Sequence, residues 1–150
     1  MKSLTFYLQF HRPPKAPGAD EAPAIASSAT LSTMIGKSGV TASLTPLPGL
    51  TARLDNSFTL NQDGTLFFEW GTVTFGEHGD QIAFSSVGPG YLLGQPDPSS
   101  PMQQGTVMWK ITGGSGFFAG ATGAIVSNFL VNPATGELTD NHAYLVYLPG

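Results

Sequence analysis

Ile111-Thr112-Gly113-Gly114-Ser115-Gly116-Phe117-Phe118-Ala119-Gly120-Ala121-Thr122-Gly123 is the stretch on which the reading of this chain turns. It follows a β-type run, Thr106 to Ile111, and precedes another, Ala124 to Val131. Five of its thirteen residues are glycine, in two groups around a Phe-Phe pair. Glycine tolerates positive φ and close backbone approach, so such a segment turns where a side chain would clash. The reading is a strand, a tight corner whose two phenylalanines sink into an apolar neighbour, and a second strand. A phosphate-binding loop would instead lead into a helix, whose N-terminus supplies donors and a favourable dipole. Here the following run is β-branched and aromatic and no lysine follows the glycines, so the corner is structural.

Outward from the corner, the chain repeats short strands and turns. Leu4 to His11 alternates Leu4, Phe6, Leu8 and Phe10 with polar or amphipathic residues, which is the period of a strand. Four prolines between Arg12 and Pro23 define a Pro-rich loop at about residues 12–27, placed as a lid over one end of the fold. Ala24 to Ile35 is weakly patterned: a strand over Ala29 to Ile35, with a short helix as the alternative. Val40 to Leu44 reads as a short strand that Pro46 and Pro48 bring to an end.

The pattern sharpens at Leu50. Leu50, Ala52, Leu54, Phe58 and Leu60 share one face, and Asn61-Gln62-Asp63-Gly64 is a hairpin turn, since Asp-Gly supplies the required positive φ. Thr65 to Phe75 carries Leu66, Phe68 and Trp70 on one face and Phe67, Glu69, Val73 and Phe75 on the other. Large apolar residues on both faces suit a closed barrel that also packs against something outside. Strands over Asp80 to Val87, Tyr91 to Leu93 and Asn141 to Leu148 complete the set, with a turn at Asn132-Pro133-Ala134-Thr135-Gly136. About eight strands joined by short turns predict an all-β, single-domain, antiparallel up-and-down barrel, with a β-sandwich as the alternative.

Composition narrows function. A chain of 150 residues is one domain with a real core. Only 11% of residues are charged, against roughly 25% in ordinary soluble domains, which suits burial in a homo-oligomer, dimer or trimer. A net charge of -4 with six Lys and Arg gives no footprint for nucleic acid. Cysteine is absent, which removes disulfides, thiolate catalysis and Cys-based metal sites. No segment reaches the ~20 apolar residues of a membrane helix, and the N-terminal stretch lacks the run and cleavage site of a signal peptide. The expectation is a cytoplasmic protein.

With these residues in view, the chain resembles the allene oxide cyclase family and related bacterial barrels. Ile111 to Gly123 is similar to that family's ITGGxGxFxGxxG run, with each glycine in place. Phe75-Gly76-Glu77-His78-Gly79 is similar to its FGxxG turn, and Gly88-Pro89-Gly90-Tyr91-Leu92 to its GPYL segment with one glycine inserted. The resemblance covers about Gly64 to Val131, the second half of the chain. Dirigent proteins share the barrel and carry a related GGTGxF corner. The resemblance implies an eight-stranded barrel with a hydrophobic cavity that steers a reactive small molecule into one cyclised isomer without a cofactor. Plant cyclases use a glutamate on the first strand, and Leu4 to His11 holds no acidic residue to take that role.

Glu69 is the candidate catalytic residue. Flanked by Phe67, Phe68 and Trp70, it would have its pKa raised by desolvation if it faced an apolar cavity. The competing expectation is an outward Glu69 paired with Lys110 or Arg53. Arg53 and Asp55 are read as a surface pair, with an internal ion pair as the alternative. Phe67, Trp70, Phe84, Tyr91, Trp109 and Tyr144 are the expected substrate-binding aromatics, and Phe129 and Tyr147 join them around the wall. His11, His78 and His142 are too scattered for a metal site, and His142 is placed at the rim. No G-x-S-x-G elbow is present. The leading expectation is a cofactor-independent cyclase or isomerase acting on a hydrophobic small molecule. The alternatives are a non-catalytic hydrophobic-ligand or dirigent-like module, and a structural oligomer with a filled barrel.

Overall fold

The computed structural model describes all 150 residues, Met1–Gly150. Nine strands follow in chain order: β1 Lys2–Arg12, β2 Ala24–Gly36, β3 Gly39–Leu60, β4 Leu66–Phe75, β5 Asp80–Ser86, β6 Gly90–Gly94, β7 Gln103–Ser115, β8 Thr122–Val131 and β9 Leu138–Leu148. Every pairing is antiparallel and consecutive strands pair with each other, apart from β5 with β6, while β9 returns to β1 along its whole length, from Lys2↔Leu148 to Arg12↔Leu138. With β3 on β4, the ring closes as an up-and-down barrel, which excludes the sandwich. Nine strands make a ring of eight because β5 and β6 share one place between β4 and β7. β5 pairs with β4 over Trp70 to Phe75 and β6 over Leu66 and Phe67.

Side-chain alternation decides what lies inside. β1 turns Leu8 and Phe10 inward, β4 turns Phe67, Glu69 and Val73, and β9 turns Asp140, His142, Tyr144 and Val146. One end of the barrel is filled with aromatic rings. Phe6 stacks on Tyr144 at 4.4 Å between centroids, and Phe75 packs on Phe118 at 4.8 Å. Farther along, Phe84 stacks on Trp109 at 4.1 Å.

The glycine corner closes that filled end. β7 continues to Ser115, a single 3-10 turn spans Gly116–Phe118, and β8 starts at Thr122. Gly116 has φ +61°, and a Cβ there would collide with the Asp80 carboxylate that accepts the Phe117 N–H at 3.0 Å. Only Phe118 sinks into the barrel. Phe117 stays 54% exposed beneath the Lys2 ammonium, because consecutive residues of so tight a turn point in opposite directions.

The region from Ala24 to Leu60 departs furthest from expectation. β2 starts at Ala24, so the Pro-rich loop is confined to residues 13–23, and no helix forms after it. β3 runs unbroken through Pro46 and Pro48, which sit where β3 has no partner on its outer side, so their missing N–H groups break no ladder. Beyond the barrel, β2 and β3 pair only with each other and form a protruding ribbon.

A carboxyl-bearing cavity at the open end

Opposite the aromatic plug, the barrel holds a cavity of about 390 Å³. Its walls are apolar: Leu54, Phe58 and Leu60 from β3, Phe67 from β4, Leu92 from β6, Phe129 and Val131 from β8, and Leu138 from β9. Phe67 and Phe129 meet edge to face at 5.8 Å. Their rings lie over Gly90 and Gly105, where any Cβ would overlap them. The mouth is polar. Arg12 and Glu21 pair at 3.2 Å across it, and Arg12 Nε donates to the Ala22 carbonyl at 2.9 Å. The Lys15 N–H donates to the Thr135 carbonyl at 3.0 Å. Residues 13–23 are thereby fastened across the opening to the 132–137 turn.

Deeper in, Glu69 and Asp140 both face the cavity. Glu69 is held twice. Ser86 Oγ accepts its N–H at 2.8 Å and donates to its carbonyl at 3.1 Å, bridging the gap where β5 ends and β6 has not begun. Its carboxylate accepts a hydrogen bond from Asn56 Nδ2 at 2.5 Å. Burial raises its pKa from 4.5 to about 7; Asn56 opposes the rise, the charge of Asp140 adds to it, and the nearby Trp109 indole opposes it slightly. That indole N–H is buried and lies outside hydrogen-bond geometry.

Asp140 begins a chain of buried hydrogen bonds. It accepts from Ser127 Oγ at 2.6 Å and from His142 Nε2 at 2.9 Å, and His142 Nδ1 accepts the Tyr144 hydroxyl at 2.8 Å. These partners place the imidazole proton on Nε2. Phe10 and the Trp109 edge clamp the ring at 4.7 and 4.9 Å. Burial, with the charge of Asp140 second, pushes the Tyr144 hydroxyl well above its ordinary pKa, so it stays a donor.

Glu69 faces inward, and its partner is Asn56 rather than Lys110 or Arg53; Arg53 pairs with Asp55 at 3.1 Å on the outer surface. Among the expected aromatics, Phe67 lines the cavity, whereas Phe84, Trp109 and Tyr144 are packed beneath it as core. Trp70 and Tyr91 require correction. They lie on the outer wall, 47% and 48% exposed, because Trp70 is three residues from Phe67 and strand alternation puts the two on opposite faces. His142 is also corrected, from the rim to the interior. Asn56, Ser127 and Asp140 escaped the sequence reading, although the D-x-H-x-Y spacing of Asp140, His142 and Tyr144 already set the three on one strand face. No cluster of His, Asp and Glu is arranged to hold a metal ion.

A larger groove of about 520 Å³ lies on the outer wall between Pro96 and Thr106, Asn128 and Asn141. It contains no ionisable group, and several of its polar side chains already bond to neighbours, Thr106 to Asn128 at 2.7 Å and Asn141 to Gln9 at 2.8 Å. The interior cavity is therefore the candidate site.

This closed antiparallel ring is the barrel fold of dirigent proteins. Among solved structures, the chain is similar to the pterocarpan synthase dirigent protein PsPTS1, with a TM-score of 0.55 and 18% identity over 99% of this chain and 97% of that one. It is also similar to the pterocarpan synthase dirigent protein GePTS1, with a TM-score of 0.52 and 16% identity over 99% and 89%. The likeness spans the full chain, not its second half alone. No protein-family model and no curated protein matches the sequence. No helix is long and apolar enough to cross a membrane.

Proposed function

We propose that this chain is a dirigent-like binding module, a barrel that takes one hydrophobic small molecule into its cavity and holds it in a single orientation without a cofactor. The observation that carries the reading is the cavity: apolar walls between a polar mouth and a carboxyl-bearing interior, in a volume of about 390 Å³ that suits a small ligand. Apolar burial supplies the affinity, and Asn56, Glu69 and Asp140 fix the orientation of a ligand's polar group. A cytoplasmic location and a homo-oligomer, dimer or trimer, belong to the same reading.

Titration with Nile red, a neutral hydrophobic fluorophore, tests it. Saturable one-to-one binding is expected, weakened at least about tenfold by Val131→Trp, which fills the mouth. Unsaturable binding, or binding indifferent to Val131→Trp, overturns the proposal. Native mass spectrometry of protein purified from its source then reads the mass of any retained ligand.

Glu69 favours a second reading, a cofactor-independent cyclase or isomerase. A buried carboxyl with a pKa of about 7 can give or take a proton at neutral pH. With a ligand identified, Glu69→Gln separates the two. Proton-transfer catalysis predicts a fall in kcat of about 10²–10⁴ with binding retained; orientation alone predicts retained product formation, because the Gln amide still hydrogen-bonds a ligand's polar group.

A further inference from the structure

Past the barrel, residues 29–36 of β2 pair with residues 39–46 of β3 and with nothing else. β1 meets β2 only at His11↔Ile25, and β4 meets β3 only from Ala52 onward. The register gives this ribbon two different faces. Leu31, Thr33 and Ile35 lie opposite Leu44, Ala42 and Val40; Thr30, Ser32 and Met34 lie opposite Thr45, Ser43 and Thr41. The first face is apolar and open, with Ile35 83% and Val40 66% exposed. Lys37 at the tip is the sole charge between residues 24 and 52. A two-stranded ribbon is marginal in water without a third strand to pair with its open edge.

The two free edges of the ribbon are not alike. The β3 edge carries Pro46 and Pro48, which cannot donate to an added strand and so guard it. The β2 edge from Ala29 to Gly36 has no proline and no charge, and the one irregularity in its ladder lies before it, between Ser27 and Ala29. We propose that this unguarded edge pairs antiparallel with the same edge of a second copy of the chain, giving a four-stranded sheet in the order β3-β2-β2-β3.

Three features select a second copy. A two-fold axis perpendicular to the ribbon keeps both apolar faces on one side, so Leu31, Ile35, Val40 and Leu44 of the two copies form one stripe. The uncharged edge meets itself without like charges in opposition. The proline-guarded β3 edges become the outermost strands, so the assembly stops at two instead of growing into a filament. The ribbon contributes no residue to the cavity, so this inference stands apart from the ligand reading.

The absence of cysteine makes the test clean. Full-length Thr30→Cys, Ser32→Cys and Met34→Cys are oxidised mildly beside Met108→Cys and Val126→Cys on the barrel wall. A disulfide needs Cα atoms about 4.4–6.8 Å apart, so one ribbon position, the nearest to the axis, should cross-link at least about tenfold faster than either wall position. Sedimentation should show a dimer for the native sequence, and S32K/M34K should raise its dissociation constant at least about tenfold, since the added lysines face each other across the axis. Circular dichroism should show the same barrel in both. A native chain that stays monomeric overturns the proposal, as does faster cross-linking at the wall or a dimer indifferent to S32K/M34K. A monomer that binds phosphatidylcholine vesicles through the ribbon also overturns it and makes a lipid surface the occupant.

Discussion

At neutral pH, Glu69 stands near the midpoint of its titration, so its protonation couples folding to pH. Its pKa is 4.5 when unfolded and about 7 in the barrel, so between these values the folded chain holds a proton that the unfolded chain has released. Stability therefore falls as pH rises from about 4.5 to about 7, by roughly 3 kcal/mol from this group, and is constant above. Glu69→Gln removes the titration. Urea unfolding at several pH values should show this component of the slope in the native chain and its absence in the variant; equal slopes would mean that Glu69 titrates normally. Asn56 sets how far the shift goes, because its amide is the main group favouring the charged carboxylate against burial. Sequence alone could place Glu69 on a strand face with Phe67, but Asn56 arrives from β3 through strand pairing, and Ser86 through a break between two strands that occupy one place in the ring.

Among the elements, the short hairpins were the legible ones. Asp63-Gly64 and the glycine corner announce turns by chemistry, and alternation in β1, β3 and β4 sorts residues onto two faces before any pairing is known, without saying which face of β4 points inward. The β2–β3 ribbon was illegible for a physical reason. Proline stops a strand when its N–H is needed, and whether it is needed depends on a neighbour that no local pattern shows. The 13–23 loop is the other element whose role depends on partners. Its hold on the barrel runs through Arg12, which keeps a hydrogen bond to the Ala22 carbonyl and an ion pair to half-exposed Glu21. Arg12→Ala should cost about 1–2 kcal/mol, mostly the charge-assisted hydrogen bond. The sharper readout is local. The Lys15 amide, tied to the Thr135 carbonyl, should exchange faster with solvent, and trypsin should cut after Lys15 more readily. Unchanged exchange there would mean that the loop is anchored by something else.

For the molecule as a whole, the barrel separates a packed interior from an outer wall that is also aromatic, and mutations tell the two apart. Phe84→Ala removes a buried ring stacked on Trp109 and should destabilise by about 3–5 kcal/mol. Trp70→Ala, on the outside, should change monomer stability by no more than about 0.5 kcal/mol. Thermal or urea unfolding that ranked them the other way would invert the assignment of β4. Composition and alternation carried the barrel, but hydrophobicity alone could not tell inner aromatics from outer ones, which is why Trp70 and Tyr91 entered the expected site. The two ends of the barrel differ as well: Phe6, Phe75, Phe118 and Tyr144 plug one, and the cavity opens at the other. On the proposed function, a guest would therefore have to leave by the door it came in. Nothing can queue behind it or push it through, so each exchange waits for full departure, and residence time is set at one threshold.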